Sequence, residues 1–297
     1  MTQPGSLGTI PPMSTILPRL PDIDWSKDID PHWLLGSKAL SHALNAFSFL
    51  LPVGEQYFHE SARKVAKSLD LSNNPRLAQE VRDFTVQESI HSAQHRHYND
   101  ALAKHGLENK IEPSLRRCHG AITDHCSPLT NLALVCAYEH YTAILAETML
   151  NAPPEWFESA PDMALLWGWH AFEETEHKGV CFDLYVAAGG GWLRRVTMFC
   201  VGSILLLLVY MPRTYIYLLR KDRPQRPGQP GGGVSFGATV RALRGPAVSA
   251  ICGLFQYLRP NFHPWQRDNR AAMEAWLLRN EGRLRFVRSS VQVVKPT

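Results

Sequence analysis

Residues 169–178 contain the side chains of this chain that are best suited to binding a metal ion. Within this segment His170, Glu174 and His177 follow one another at intervals of four and three residues. On an α-helix these intervals place all three side chains on one face. Two imidazoles and a carboxylate on one helix face supply half of the ligands of a dinuclear metal site.

An earlier segment repeats part of this pattern. Glu88 and His91 have the Glu-x-x-His spacing that recurs at residues 174–177. Four-helix bundles bind two metal ions with two such pairs, together with one further glutamate from each of the two other helices. The sequence therefore predicts two more glutamate ligands, each on its own helix.

Glu55 and Glu139 meet this requirement, because each lies within an apolar helical stretch. A glutamate buried among apolar side chains is costly unless a cation or a strong hydrogen-bond donor compensates its charge. The predicted metal ligands are Glu55, Glu88, His91, Glu139, His170, Glu174 and His177.

The spacing also suggests individual roles for these residues. We expect Glu55 and His91 to be terminal ligands of one ion, and Glu139 and His177 to be terminal ligands of the other. Glu88 and Glu174 are expected to bridge the two ions, and His170 is expected to be an additional ligand. Glu173 competes with Glu174, since it also shares a face with His177, but Glu174 repeats the Glu-x-x-His spacing and is preferred. Glu147 and Glu173 are predicted to lie outside the ligand set, either as supports of the ligands or as surface charges, and either would be the base of a hydrolase. His95 is either a further ligand or a support for one.

The order of these ligands resembles that of the ferritin-like di-iron carboxylate proteins. With four Glu and three His, the set is more similar to the di-iron N-oxygenases that oxidise aryl amines. Residues 35–190 and 259–265 also resemble a bacterial family called predicted metal-dependent hydrolases, and residues 169–178 are the most specific part of that resemblance. These resemblances imply an all-α fold, a ferritin-like four-helix bundle with an additional C-terminal helical region.

The same ligand set favours particular metals and reactions. Carboxylate and imidazole without thiolate favour two iron ions, with manganese as the alternative. The leading hypothesis is a non-haem di-iron monooxygenase or N-oxygenase that uses dioxygen, a small or lipid-like organic substrate and an electron donor such as a reductase or ferredoxin. The alternatives are a binuclear metal-dependent hydrolase and a non-enzymatic ferritin-like iron-binding protein.

Composition and charge divide the chain into three predicted parts. Residues 1–34, whose first 30 residues are rich in Pro, Gly, Ser and Thr, are predicted to be an arm that is either flexible or draped over the protein. Residues 35–190 are the metal-binding bundle, with long helices expected near 37–68, 75–106, 129–151 and 161–188. Residues 190–297 hold 17 Lys or Arg and four acidic residues, a net charge of +13, which leaves −9 for residues 1–189.

The basic region, 191–297, also contains the most apolar stretch of the chain. Residues 196–211 carry no charge and are flanked by arginines. This pattern indicates either a helix buried against the bundle or one lying in a membrane surface through residues 191–226. No nucleic-acid-binding motif is present, so no nucleic-acid partner is expected. Six Cys without a Cys-x-x-Cys pair indicate reduced thiols, and we expect a cytoplasmic or membrane-associated protein that could form a homodimer.

Overall fold

The computed structural model describes residues 16–222 and 248–287, and these residues are predominantly helical. The helices are α1 (Lys38–Ala66), α2 (Pro75–Lys104), α3 (Glu112–His125), α4 (Pro128–Leu150), α5 (Pro161–His177), α6 (Val180–Ala187), α7 (Trp192–Ser203), α8 (Met211–Lys221), α9 (described from 248 to 256) and α10 (Arg270–Asn280). Two short strands, β1 (Arg19–Pro21) and β2 (Leu284–Phe286), pair antiparallel with Leu20 opposite Arg285. Apart from this ribbon, the predicted all-α class is confirmed.

The starts of the long helices follow from their capping residues. The side chains of Ser37, Asn74 and Ser127 accept hydrogen bonds from backbone amides in the first turns of α1, α2 and α4. Proline occupies the start of α2, α4 and α5, where its missing N–H costs nothing. These local signals explain why the predicted helix starts lie close to the observed ones.

The fourth predicted helix, over residues 161–188, is instead two helices. The break lies at Lys178 and Gly179, between α5 and α6. A Cβ atom on Gly179 would lie 2.9 Å from the indole nitrogen of Trp265, so the side chain from the C-terminal region needs the space that the glycine leaves. The sequence around residue 179 does not reveal this contact, because Trp265 is distant along the chain.

The long helices pack on one another as a helical bundle around the centre of the described residues. α1 packs against α2 and α4, α5 packs against α4, and α2 packs against α5 and α6. The C-terminal region shares the two hydrophobic cores of this bundle, since Leu218 and Trp276 belong to one and Phe199 and Tyr257 to the other. Over its described residues, the region 191–297 is therefore packed on the bundle.

Residues 16–34 lie against the bundle, as the draped alternative for the N-terminal arm predicts. Ile16, Arg19 and Trp33 are buried, and the Trp33 indole donates a 2.7 Å hydrogen bond to the hydroxyl of Tyr98. Arg19 is the buried cation of this segment, and it pairs with Glu173 and Glu176 of α5. Residues 1–15, the rest of the predicted arm, lie outside the described residues.

α7 continues through a π-helical segment, Ile204–Tyr210, into α8. Together they form a helix over Trp192–Lys221 that, by length and composition, could cross a membrane, the one such helix among the described residues. Of its most apolar window of 18 residues, 28% is buried in the protein. One side of this helix is therefore buried against the bundle, as the first interpretation of the sequence predicts. The other side is exposed, as the membrane-surface interpretation requires.

Replacing Gly168 by alanine is expected to destabilise the protein. A Cβ atom at this position would lie 2.3 Å from the indole nitrogen of Trp276, so α10 would have to move away from α5. Forcing an extra methyl group into a packed core typically costs about 1–3 kcal/mol. Urea unfolding measured by circular dichroism tests this expectation.

Gly120→Ala is the matched control. Gly120 lies within α3, and a Cβ atom there would meet nothing within 4 Å. Alanine in an open helical position usually adds about 0.5–1 kcal/mol of stability. Equal unfolding midpoints for the two variants would contradict the close packing of α5 against Trp276.

Candidate metal centre

The structure brings the seven side chains that were predicted as ligands to the middle of the bundle, and all of them are buried. α1 supplies one, α2 two, α4 one and α5 three. They are Glu55, Glu88, His91, Glu139, His170, Glu174 and His177. Residues up to 122 positions apart in the sequence therefore meet in one place (Glu55 to His177).

Their ligand atoms form two overlapping groups, in each of which all atoms lie within 4.8 Å of one another. The first group is Glu55, His91, His170 and Glu174, and the second is Glu88, His91, Glu174 and His177. Glu139 adjoins the second group, because its Oε2 lies 3.3 Å from Nδ1 of His177. The two groups could each hold one metal ion.

This grouping differs in part from the predicted roles. Glu174 belongs to both groups, as expected of a bridging carboxylate. Glu88 belongs to the second group alone, whereas His91 belongs to both. The spacing predicted that Glu88 and His91 share one helix face, and that Glu174 and His177 share another. It could not predict which side chains of different helices would meet.

Unpaired buried oxygens show that these residues fit a cation. Among the described residues, both carboxylate oxygens of Glu55, Glu88 and Glu139 are buried without a hydrogen-bond partner, and so is Oε2 of Glu174. Buried carboxylate oxygens without donors are strongly unfavourable in a folded protein. Divalent metal ions would compensate them, and the donor set of oxygen and imidazole nitrogen suits first-row metals.

The acid–base properties of the cluster reflect the same crowding of charge. Burial, together with the neighbouring carboxylates, raises the pKa of Glu55 and Glu88 well above the ordinary value, and it raises the pKa of Glu139 to about 7. Burial also lowers the pKa of His170 to about 4. Protons thus occupy several of these carboxyl groups when no cation is bound.

His91 is oriented by a residue outside the two groups. Its Nε2 lies 3.0 Å from Oε2 of Glu173, so Nδ1 is the nitrogen directed at Glu88 and Glu174. Although burial opposes it, the hydrogen bonds of Glu173 and Glu174 raise the pKa of His91 to about 10. A carboxylate on the far nitrogen of a metal-binding histidine commonly fixes its orientation and increases its basicity.

Glu173 is itself held in place by Arg19 of β1. The backbone amide of Arg19 donates a 2.8 Å hydrogen bond to Oε1 of Glu173, and its guanidinium contacts both Glu173 and Glu176. Both oxygens of Glu173 are therefore engaged. Glu173 thus lies outside the ligand set and positions His91, while its role as a base stays a prediction.

Glu147, the other candidate base, lies apart from the two groups. Its carboxylate accepts a 2.7 Å hydrogen bond from Nε of Arg267 and lines a different cavity with Ser249 and Asn151. Because this ion pair is half-buried at the edge of the bundle, Glu147 is not placed to act on a molecule at the metal groups. This position agrees with a charge at the surface of α4, one of the two roles considered for Glu147.

His170 is oriented by a chain of hydrogen bonds that begins at a proline. Pro52 has no N–H, so the carbonyl of Ser48 is free to accept a 3.0 Å hydrogen bond from Nδ2 of Asn99. This fixes the Asn99 amide, whose Oδ1 accepts from the Ser48 hydroxyl at 2.7 Å. The Ser48 oxygen must then accept from Nδ1 of His95, 2.9 Å away.

The chain continues to the metal groups. With its hydrogen on Nδ1, His95 accepts at Nε2 from Nδ1 of His170, at 2.6 Å. The lone pair of His170 is therefore on Nε2, which lies 2.9 Å from Glu174 and 3.6 Å from Glu55. His95 supports a ligand, which is one of the two roles that its position in the sequence allowed.

A third group of His32, His42 and Asp222 has similar spacing but the wrong hydrogen-bond pattern for a metal site. The amide of Asn45 is fixed by two partners, because Oδ1 accepts from Tyr98 and Nδ2 donates to the carbonyl of residue 31. Its Nδ2 also faces Nδ1 of His42, which must accept. Nε2 of His42 thus carries the hydrogen and donates to Asp222 at 2.8 Å, leaving no lone pair for a metal.

Metal binding is expected to stabilise the protein more at pH 8 than at pH 6. The pKa of Glu139 is about 7 in the folded protein and 4.5 ordinarily, so the folded metal-free state holds an extra proton between these values. The stability that this extra proton gives to the metal-free protein is therefore lost as the pH rises through 7. A metal ion must displace that proton, and each released proton strengthens binding about tenfold per pH unit.

Thermal unfolding with and without Mn²⁺ at the two pH values measures this effect. The metal-free midpoint is expected to decrease towards pH 8 and the gain on adding metal to increase. An equal gain at both pH values would contradict proton displacement from the carboxylates.

Comparison with known proteins places this centre in a family. No curated protein and no solved structure matches the chain significantly. A family model described as "Predicted metal-dependent hydrolase" matches residues 17–268, which include all seven side chains and the Arg19 that supports them. Because this match covers most of its length, the chain belongs to the predicted metal-dependent hydrolase family.

Proposed function

We propose that the protein is a metal-dependent hydrolase in which the seven Glu and His side chains hold two divalent ions. The observation that carries this proposal is the pair of overlapping ligand groups, with Glu174 and His91 common to both. Membership of the family supports hydrolysis as the reaction. A bound divalent ion would supply a water molecule with a lowered pKa and would polarise the group under attack.

The surrounding residues indicate the side from which a substrate would approach. A small cavity between α1, α4 and α5 is lined by His170 and Glu174 and by the apolar side chains of Phe47, Leu145 and Met149. Two side chains of the ligand groups therefore border a cavity there. A substrate with an apolar portion next to its reacting group would fit this cavity.

Protein residues other than the ligands would keep the centre in position during the reaction. Glu173 holds Nε2 of His91, and His95 holds Nδ1 of His170, so both imidazoles keep their lone pairs directed inward. Apolar side chains of the same helices exclude bulk water. A proton released from a bound water would therefore pass to a carboxylate of the ligand set, since both oxygens of Glu173 are occupied.

The test is hydrolysis of p-nitrophenyl esters by purified protein whose metal content has been measured. Activity should disappear on removal of the metal, return with Zn²⁺, Mn²⁺ or Fe²⁺, and proceed without dioxygen. Glu60→Gln, an exposed change on α1, is the control and should retain activity. Metal-loaded protein without hydrolytic activity on esters or amides would contradict the proposal.

Dioxygen activation is a second candidate, and the ligand set is the observation that favours it. Four Glu and three His without thiolate in a helical bundle agree with the resemblance to ferritin-like di-iron proteins and to N-oxygenases. In this case the metal would be iron or manganese, and an electron donor and dioxygen would be partners. Dioxygen consumption by the reduced iron-loaded protein, with no turnover under nitrogen, would favour this candidate over hydrolysis.

A further inference from the structure

The outer face of the helix over Trp192–Lys221 is apolar and exposed. Leu193 is 70% exposed and Leu208 is 71% exposed. Four exposed apolar residues lie within positions 204–209, and others lie nearer the two ends of the helix. The exposed apolar residues include Leu193, Ile204, Leu207, Leu208, Val209 and Ile216.

The inner face of the same helix packs on the bundle along its length. Phe199, Tyr210 and Leu218 are buried in the hydrophobic cores, and Ser203 lies 2.7 Å from the hydroxyl of Tyr141. At the end of the helix, Asp222 is hydrogen-bonded to two histidines of the N-terminal part. A helix fixed in this way lies flat on the protein, so a bilayer could cover its outer face but the helix could not cross one alone.

α9 extends the exposed apolar area. Tyr257, just after α9, stacks on Phe199 with ring centroids 4.8 Å apart, and Trp192 donates to the carbonyl of Leu258. α9 is therefore a neighbour of α7, and it leaves Phe255 66% exposed together with Ile251. We call the exposed apolar residues of Trp192–Lys221 and of α9 the outer apolar surface.

The charges around this surface suit an anionic partner. Arg194, Arg213 and Arg259 are exposed beside it. Asp222 is the only acidic residue in segments 191–222 and 248–259, and its carboxylate is paired with Lys38 and the two histidines. Apolar side chains bordered by arginines are typical of protein faces that lie in the headgroup region of anionic lipid bilayers.

A small apolar cavity lies behind this helix, on the side that faces the bundle. Leu206 and Tyr210, from the π-helical segment, line it together with Leu50, Leu51 and Tyr138. Phe47 and Thr142 line both this cavity and the small one beside His170 and Glu174. These two side chains therefore lie between the cavity behind the helix and the cavity next to the predicted ligands.

We propose that the outer apolar surface docks on a bilayer with anionic headgroups, and that the cavity behind Leu206 and Tyr210 receives the acyl chain of a lipid. The docking stands on the exposed face and its charges alone. The acyl-chain site rests on the proposed function, and it identifies acyl lipids as the substrate class of that hydrolase.

Flotation of the full-length protein with vesicles tests the docking. Wild-type protein should float with phosphatidylglycerol-containing vesicles, and less with phosphatidylcholine alone or at high salt, where charges are screened. Leu208→Glu should weaken binding by about tenfold or more, since it removes an apolar side chain from the lipid and adds a repelled charge. Leu278→Glu is the matched control, because Leu278 on α10 is also 70% exposed but lies outside the surface.

Two results would overturn the docking. One is flotation of Leu208→Glu equal to that of wild type. The other is a wild-type protein that ignores both kinds of vesicle and elutes as a dimer that Leu208→Glu dissociates, because the surface would then join two copies of the chain.

A fluorescent fatty acid, cis-parinaric acid, tests the cavity in solution and in the absence of turnover. Leu206→Trp should fill the cavity and weaken probe binding about tenfold or more, while vesicle flotation stays unchanged. Unchanged probe binding in this variant would overturn the acyl-chain site. If probe and vesicle binding both behave as expected but no ester is hydrolysed, then the proposed function fails and the docking remains.

Discussion

Glu174→Gln is expected to leave a folded protein with almost no bound metal. Glu174 belongs to both ligand groups, and its Oε1 lies 2.9 Å from His170, 3.5 Å from His91 and 3.9 Å from His177. The nearby histidines hold the pKa of Glu174 well below its usual range despite its burial, so the native side chain is an anion. A neutral amide of the same shape cannot bridge two cations or balance their charge.

Metal analysis of the purified variant, with circular dichroism for folding, measures this effect. The helices should persist, because glutamine keeps the packing and removes a buried charge. Glu60→Gln makes the same chemical change on an exposed part of α1 and should retain the full metal content. Two tightly bound ions in Glu174→Gln would show that this carboxylate is not shared between them.

Replacing a ligand that belongs to only one of the two groups should remove less metal than replacing Glu174. Glu55 is part of the first group only, and Glu88 of the second only. Glu55→Gln and Glu88→Gln are each expected to lose one ion and to keep the other with weakened affinity. Loss of both ions in both variants would indicate that the two groups bind metal as one cooperative unit.

The sequence predicted the ligands because helical spacing is a local property. Pairs separated by three or four residues share a helix face whatever the rest of the chain does, so Glu88 with His91 and Glu174 with His177 could be recognised. Capping residues such as Ser37 and Ser127 are equally local, and they located the helix starts. Burial of Glu55 and Glu139 followed from the apolar residues around them.

The supporting contacts could not be predicted in this way, since each joins distant parts of the chain. Arg19 lies 154 residues from Glu173, and His95 lies 75 residues from His170. Spacing placed Glu173 on a face of α5 without showing that a guanidinium would cover it. The same limitation left Glu147 open between a support of the ligands and a surface charge, and its contact with Arg267 favours the second.

Arg19→Met is expected to cause the largest loss of stability of any single change outside the ligands. Arg19 is 4% exposed, and its guanidinium contacts Glu173 at 3.4 Å and Glu176 at 3.0 Å. Methionine would leave two buried carboxylates without their cation. Removing one partner of a buried ion pair typically costs about 3–5 kcal/mol. Metal affinity should also fall, by up to about 10–100-fold, because Glu173 would keep only the backbone amide of residue 19 and would be held less firmly against His91.

Arg285→Met is the matched control, since it makes the same change on β2 of the same ribbon. Arg285 pairs with Asp22 at 3.2 Å, but both side chains are more than two-thirds exposed (68% and 69%). Such pairs contribute about 0–1 kcal/mol, so chemical unfolding should resemble that of the wild type. Adding Glu176→Gln to Arg19→Met should recover part of the lost stability, because it removes one of the uncompensated charges. If Arg19→Met and Arg285→Met instead unfold at the same denaturant concentration, the β1 arginine does not anchor the strand to the metal centre.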